Sequence, residues 1–331
     1  MSSPLPMPVR LGLEEGGLCY VAVRTRRGPH LTPVVFVLDG GRVWWTTARG
    51  SVKARAWRTD PKVAGLVVSG AVAVSFRGHV RTYDALDPFS WPAATLGAPL
   101  LARAASRFTV KNARFFAGYA LDVGRVPLAW TPPGRVFVRV QPSGGLVLRA
   151  TSVSSWGGWV APPLRSGTSY RALPRARGLD LRAPRDVREA IGLGGSGAMA
   201  VASGADLAVL PVAWRRVAGE GAYEVAVATA ALQATGGIDG GRAALTLDRA
   251  STWRAAEMAG MLLQGAADVF VPAATARGRR AMLAQLGEIA ARVPRPSHPM
   301  PDDLEELSLV RLRPERIVWW RGWTSGTVSR P

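Results

Sequence analysis

The sequence predicts a mainly β protein with a few helices (α+β), built as two diverged copies of one small closed-barrel unit. Short β-rich apolar runs, separated by turns bearing Gly and Pro, fill most of the chain. Helical periodicity of any length is confined to residues 100–119 and 276–293. Three landmarks then recur in the same order. Leu31-Thr32-Pro33-Val34-Val35-Phe36 is echoed by Val209-Leu210-Pro211-Val212-Ala213-Trp214. Phe76-Arg77-Gly78-His79 is echoed by Leu263-Gln264-Gly265-Ala266. Val138-Arg139-Val140-Gln141-Pro142, with Leu146-Val147-Leu148-Arg149 after it, is echoed by Val310-Arg311-Leu312-Arg313-Pro314 and Val318-Trp319-Trp320-Arg321. The repeat divides the 331 residues into a first copy, 1–150, a Gly/Pro/Ser/Arg-rich linker, 151–184, and a second copy, 185–331.

In the first copy, 19–24 reads as a strand, Arg26-Arg27-Gly28 as a turn and 33–38 as a second strand. Asp39-Gly40-Gly41 signals a hairpin, because glycine takes positive φ without strain. A third strand, 42–47, leads to a short helix, 50–57, stopped by Thr59-Asp60-Pro61. Strands 63–69 and 72–81 follow, then the helix 100–119 with Leu101, Ala104, Phe108, Phe115 and Tyr119 on one face. Strands 136–140 and 146–149, joined by a Pro turn, close the unit. The helix 276–293 is its counterpart in the second copy.

Composition bounds the function. The chain is 48% hydrophobic and 20% charged, enough apolar material for a folded core. No apolar run reaches the roughly 18 residues of a membrane span, and 1–10 shows no apolar leader core, so the expectation is a cytoplasmic protein with no membrane partner. Cys19 is the single cysteine and three histidines are scattered, which argues against a disulfide or a metal cage. Net charge is +19, nearly all from arginine, with no run of more than two basic residues, a pattern unlike a nucleic-acid binder. Residues 1–150 hold 20 basic and 7 acidic residues, so an anionic ligand belongs there.

One stretch carries a more specific signal. Gly28-Pro29-His30-Leu31-Thr32-Pro33-Val34-Val35-Phe36, Gly40-Gly41-Arg42-Val43-Trp44-Trp45-Thr46-Thr47, Ser51-Val52-Lys53-Ala54-Arg55 and Asp60-Pro61-Lys62-Val63-Ala64 together resemble the pyridoxamine 5'-phosphate oxidase-like split β-barrel family. That family includes flavin (FMN) enzymes, deazaflavin (F420) reductases and haem-binding members. The resemblance implies two tandem split β-barrels arranged as an intrachain pseudo-dimer. It implies an FMN-dependent oxidoreductase acting on a small-molecule redox substrate, with F420 as the alternative cofactor. A non-catalytic cofactor- or haem-binding protein is the other alternative. Pro33, Val34, Val35, Thr46 and Thr47 would follow the ring and ribityl chain, and Ser51 and Lys53 would hold the phosphate.

The residues support the phosphate site separately. Ser51 fits a helix N-cap, and Lys53 falls in the first turn, where the helix dipole disfavours a cation unless an anion sits there. Val52 stands where the pyridoxamine phosphate oxidases carry a second basic residue, and their substrate-phosphate ligands have no counterpart, so a sister activity is expected. In the second copy Ala230-Ala231-Leu232-Gln233-Ala234 offers no cation, which predicts one cofactor per chain. Trp319, Trp320 and Arg321 are candidates to cover its ring, and the Trp-bearing segment Ser154–Trp159 reads as a linker or lid. Arg103, Arg107, Lys111 and Arg114 form a basic helical stripe suited to a polyanion or simply to solvent. His30 is placed near the cofactor, and His79 is the haem-ligand candidate. No side chain stands out as a catalytic acid, base or nucleophile.

Overall fold

A computed structural model describes residues 4–121, 124, 134–150, 152–163, 168–169, 181–217, 221–237, 241–249, 257–271, 275–293 and 298–329. The first barrel opens with helix α1 (Met7–Glu15) and strands β1 (Leu18–Thr25), β2 (Gly28–Asp39) and β3 (Arg42–Ala48). Helix α2 (Val52–Trp57) and strands β4 (Lys62–Ser69) and β5 (Val72–Tyr83) follow. Helices α3 (Trp91–Leu96), α4 (Ala98–Lys111) and α5 (Ala113–Leu121) then lead to β6 (Arg135–Arg149) and β7 (Ser152–Gly157). The short strand β8 (Thr168–Ser169) precedes the second barrel.

The second barrel runs through α6 (Arg185–Ile191), β9 (Gly194–Ser203), β10 (Asp206–Arg216), β11 (Tyr223–Ala228) and α7 (Thr229–Ala234). It continues with β12 (Arg242–Arg249), β13 (Ala259–Val271), α8 (Ala276–Ala290), β14 (Leu307–Arg321) and β15 (Thr324–Ser329). Six strands close each barrel in the same order: β3-β2-β1-β4-β5-β6 returns to β3, and β11-β10-β9-β12-β13-β14 returns to β11. The tandem-barrel fold is therefore present.

Three expectations are corrected. Residues 136–149 do not turn at Pro142: β6 is one 15-residue strand, and β14 passes Pro314 in the same way. Each strand instead carries a bulge beside its proline: Ser143 of β6 is the extra residue where the register shifts opposite Arg77/Gly78, and Glu315 of β14 is the extra residue opposite Gln264/Gly265. Residues 100–119 are two helices, parted at Asn112, whose side-chain amide donates to the Phe108 and Phe36 carbonyls. The side chain of Tyr119 lies outside the described residues. The stretch expected as a linker begins with β7, which pairs with β6 as β15 pairs with β14, so the repeat extends to Gly157. Residues 164–167 and 170–180 of that stretch lie outside the described ones. Helices α1 and α6 are further repeat elements: Pro6, Val9 and Leu13 match Pro184, Val187 and Ile191, and the four apolar side chains are buried.

The basic stripe is mostly structural. Arg103 and Arg107 both bond Asp39 Oδ1, at 2.9 Å through Nη2 and Nη1, and fasten α4 to the β2–β3 hairpin. Lys111 lies 4.0 Å over the Phe36 ring. Of the four, Arg114 alone is exposed with no such contact among the described residues.

The barrels share a continuous apolar core in which Ala22, Leu31, Leu66 and Leu146 of the first pack with Met199, Leu210, Leu245 and Leu263 of the second. Polar groups fix the register across it. Thr246 Oγ1 donates to the Leu31 carbonyl (2.8 Å), and Tyr20 Oη donates to Asp248 Oδ1 (2.9 Å). Burial pushes Asp248 up to about 6, partly opposed by the Tyr20 bond. The unfolded carboxyl titrates near 3.9, so between about pH 4 and 6 the folded chain binds more protons, and this group makes stability fall as pH rises through that window. Urea unfolding at pH 4.5 and 7 should therefore show an Asp248-dependent loss of about 1–2 kcal/mol at the higher pH, absent in Asp248→Asn. An unchanged difference in the variant would assign the effect elsewhere.

Candidate functional site

The site forms where β3 ends. After Ala48 the chain turns through Arg49-Gly50-Ser51, with Arg49 paired to Asp84 and Ser51 N–H bonded to the Ala48 carbonyl (3.0 Å). Ser51 caps α2 by accepting from Ala54 N–H (3.1 Å), as its position predicts, and also meets Thr47 Oγ1 (3.1 Å). The buried face of α2 is Lys53, Ala54 and Trp57. Lys53 is thus turned inward. It is 6% exposed, and Nζ bonds Thr32 Oγ1.

No carboxylate pairs with Lys53 among the described residues. Burial, then the nearby Arg135 guanidinium, push its ammonium down to about 7. Arg135 itself holds Thr46, bonding its Oγ1 (2.8 Å) and its carbonyl (3.1 Å). His30 is buried beside this cluster with Nδ1 unpartnered. Burial first, and then the charges of Lys53 and Arg316, push it down to about 3, so it is neutral at pH 7. Cys19, also buried here, is pushed up to about 12 and remains a thiol.

Alongside lies a slit in the barrel. The β2–β3 ladder runs only from Asp39↔Arg42 to Phe36↔Trp45, while β2 continues to Gly28 paired with β1 alone. The outer backbone edge of Pro33, Val34 and Val35 is therefore uncovered by β3, and these residues are half-buried. By strand alternation the Val35 amide faces this edge, and Pro33 has no amide to leave unsatisfied. Further along, the second barrel covers the edge: Gln264 Nε2 donates to the Pro29 carbonyl (2.5 Å), and Arg316 Nη1 donates to Gln264 Oε1 (3.1 Å).

The structure thus joins Thr47 to Ser51, sets Lys53 on Thr32 and Thr46 on Arg135, and lays Pro33, Val34 and Val35 along the open edge. Thr32, Arg135, Gln264 and Arg316 were not singled out in the sequence. No local pattern in the sequence marks them. Trp319 and Trp320 are not placed as a ring cover: their indoles fill the space left by Gly326 and Gly260 of their own sheet, and Arg321 bonds the Glu257 carbonyl. His79 is exposed on a different part of the barrel seam. Trp159 is buried in the shared core with Nε1 on the Ala234 carbonyl, as an anchor and not an open lid.

The second barrel has lost these groups position by position. Its ladder pairs one step further, to Ala213↔Ala226, which narrows the slit. By register, Ala226 and Val227 replace Thr46 and Thr47, Leu307 replaces Arg135, and Leu210 replaces Thr32. β11 runs directly into α7 without the three-residue turn that supplies Ser51, and α7 has no side-chain cap.

These features define a split-barrel protein with one polar, cationic pocket and one apolar mate. Residues 9–85, within the first barrel, match the family model of the pyridoxamine 5'-phosphate oxidases. No curated protein matches the chain. Among solved structures it is similar to general stress protein 26 from Bacillus anthracis, at 11% identity and TM-score 0.29 over 45% of this chain and 96% of that one. An F420 reductase aligns at 20% identity and TM-score 0.28 over 45% and 98% of the two chains. A pyridoxamine 5'-phosphate oxidase-related, FMN-binding protein from Nostoc punctiforme aligns at 15% and 0.34 over 47% and 91%. No helix among the described residues is long and apolar enough to cross a membrane.

Proposed function

We propose that this chain is an FMN-dependent oxidoreductase acting on a small-molecule redox substrate, with one cofactor held by the first barrel and flanked by the second. The observation that carries this reading is Lys53, a buried cation with no carboxylate partner, set against the Thr32, Thr47 and Ser51 hydroxyls at the mouth of the β2–β3 slit. A buried, unpaired ammonium is costly, and an anion among hydroxyls and a second cation is the usual remedy. Ser51 and Lys53 would hold the phosphate, with Thr47 beside them. The uncovered edge at Pro33, Val34 and Val35 would meet the polar rim of the flavin, and Thr46, held by Arg135, would line the ribityl chain. His30, neutral and with Nδ1 free to bond, fits the same pocket. Bound FMN would supply the electron transfer itself. The protein's part is to position it, exclude water along the shared core, and neutralise its phosphate.

The basic stripe would suit the acidic tail of a deazaflavin such as F420, but two of its arginines are occupied by Asp39. That leaves FMN as the reading the pocket supports. The experiment is to titrate the protein with FMN, following flavin fluorescence, and then to add NADH or NADPH anaerobically. Saturable quenching followed by bleaching of the flavin band near neutral pH is the expected result. Quenching without reduction by either donor would favour the non-catalytic, cofactor-holding alternative, and no quenching would reject the cofactor reading.

A further inference from the structure

The seam between the barrels has two corners related by the repeat. At one, Arg242 and Gln264 of the second barrel meet Gly28 and Pro29 of the first. At the other, Lys62 and Arg77 of the first barrel meet Asp206 of the second. Strand register makes the partners equivalent: Lys62 stands for Arg242, Arg77 for Gln264, Asp206 for Gly28, and Ser143 for Glu315.

The two corners have nevertheless diverged. Arg242 and Glu315 pair at 2.6 Å beside Gly28. In the other corner Ser143 takes the place of the glutamate, and a cleft of about 230 Å³ stands there, lined by Arg24, Lys62, Arg77, His79, Ser143 and Asp206 among others. Lys62 Nζ (2.9 Å) and Arg77 Nη1 (3.2 Å) both lean on Asp206. Among the described residues, Arg24 Nη2 bonds only the Asp206 (2.9 Å) and Gly204 (3.3 Å) carbonyls. Asp60, the other acid in the lining, accepts from the Lys62 backbone N–H. His79 is exposed there, with no hydrogen-bond partner among the described residues. Three permanent cations and an imidazole therefore face two carboxylates, one of them shared.

We propose that this cleft is a second binding site, for a compact oxyanion: the carboxylate or phosphate head of a small molecule, bound by Arg24, Lys62 and His79. The missing glutamate leaves both the space and the uncompensated charge. About eight waters would fill the volume, which suits an oxyanion with a short tail.

Isothermal titration of the full chain with inorganic phosphate, and separately with succinate, at constant ionic strength against chloride tests this. Saturable binding of at least one anion that persists in Lys53→Met is expected, and the tighter of the two identifies the head group. Ser143→Glu, at an exposed position, restores the glutamate of the other corner and should weaken binding at least tenfold. His79→Ala should weaken it severalfold. Lys53→Met, in the other pocket, should leave it unchanged. The proposal is overturned if neither anion binds, if Ser143→Glu binds as well as the parent, or if Lys53→Met abolishes binding.

Discussion

Replacing Lys53 by methionine should weaken FMN binding by about 2–3 kcal/mol, a factor of roughly 30 to 150, and should make the cofactor-free protein more stable. Both effects come from the same burial. With nothing anionic beside it, the ammonium is a charge taken from water and pressed against Arg135, and methionine keeps the stem and removes the charge. A gain of about 1–3 kcal/mol in the cofactor-free state is expected from urea unfolding. The pH dependence follows with a definite sign. A phosphate partner favours the charged amine, whose value without cofactor is about 7, so affinity is full below pH 7 and falls by up to tenfold per unit above it. The unfolded amine titrates near 10.4, so between pH 7 and 10 the unfolded chain binds more protons, and cofactor-free stability rises with pH across that window. Fluorescence titrations from pH 7 to 9 should show the slope in the parent and none in Lys53→Met. Equal slopes in both proteins would remove Lys53 from the phosphate site.

Gly265→Ala should be the most damaging small substitution in the second barrel, at about 3–4 kcal/mol or more and a drop of roughly 10 °C in Tm. A Cβ there would stand 2.0 Å from the Arg313 carbonyl oxygen and 3.0 Å from Glu315 N, both backbone atoms of the facing strand. The bulge that lets β13 pass Pro314 needs this close approach. A Cβ on Gly78 would make the matching clash in the first barrel, 2.3 Å from the Gln141 carbonyl oxygen. Gly17→Ala, whose Cβ meets nothing within 4 Å, is the control and should leave Tm almost unchanged. A calorimetric scan showing equal melting for the two variants would contradict the shared-bulge account.

These paired glycines also show how far the sequence could be read. Gly78 and Gly265 aligned correctly in the repeat, as did Pro33 with Pro211, because backbone constraints persist when side chains diverge. The prolines at 142 and 314 misled. Proline usually punctuates, and here a one-residue bulge just after it, at Ser143 and at Glu315, absorbs it within the same strand. Residues 100–119 carry one unbroken apolar period, and nothing local announces that Asn112 will cap one helix and begin another. Helices α1 and α6 were missed because each is only a few turns long and begins at proline. At the site, Ser51 was legible as a cap and Lys53 as a cation near it. That Lys53 points inward was not, since the same spacing fits a solvated helix. Arg135, Gln264 and Arg316 come from strands that only the closed barrels bring near, and no local pattern marks them.

The central claim is a tandem pair of barrels in which one pocket is retained and its mate is closed. Counting bound FMN per chain by equilibrium titration tests it most directly. The account predicts a stoichiometry of one for the parent, with the single site lost or greatly weakened in Lys53→Met. Two sites per chain, or one site indifferent to Lys53, would contradict it.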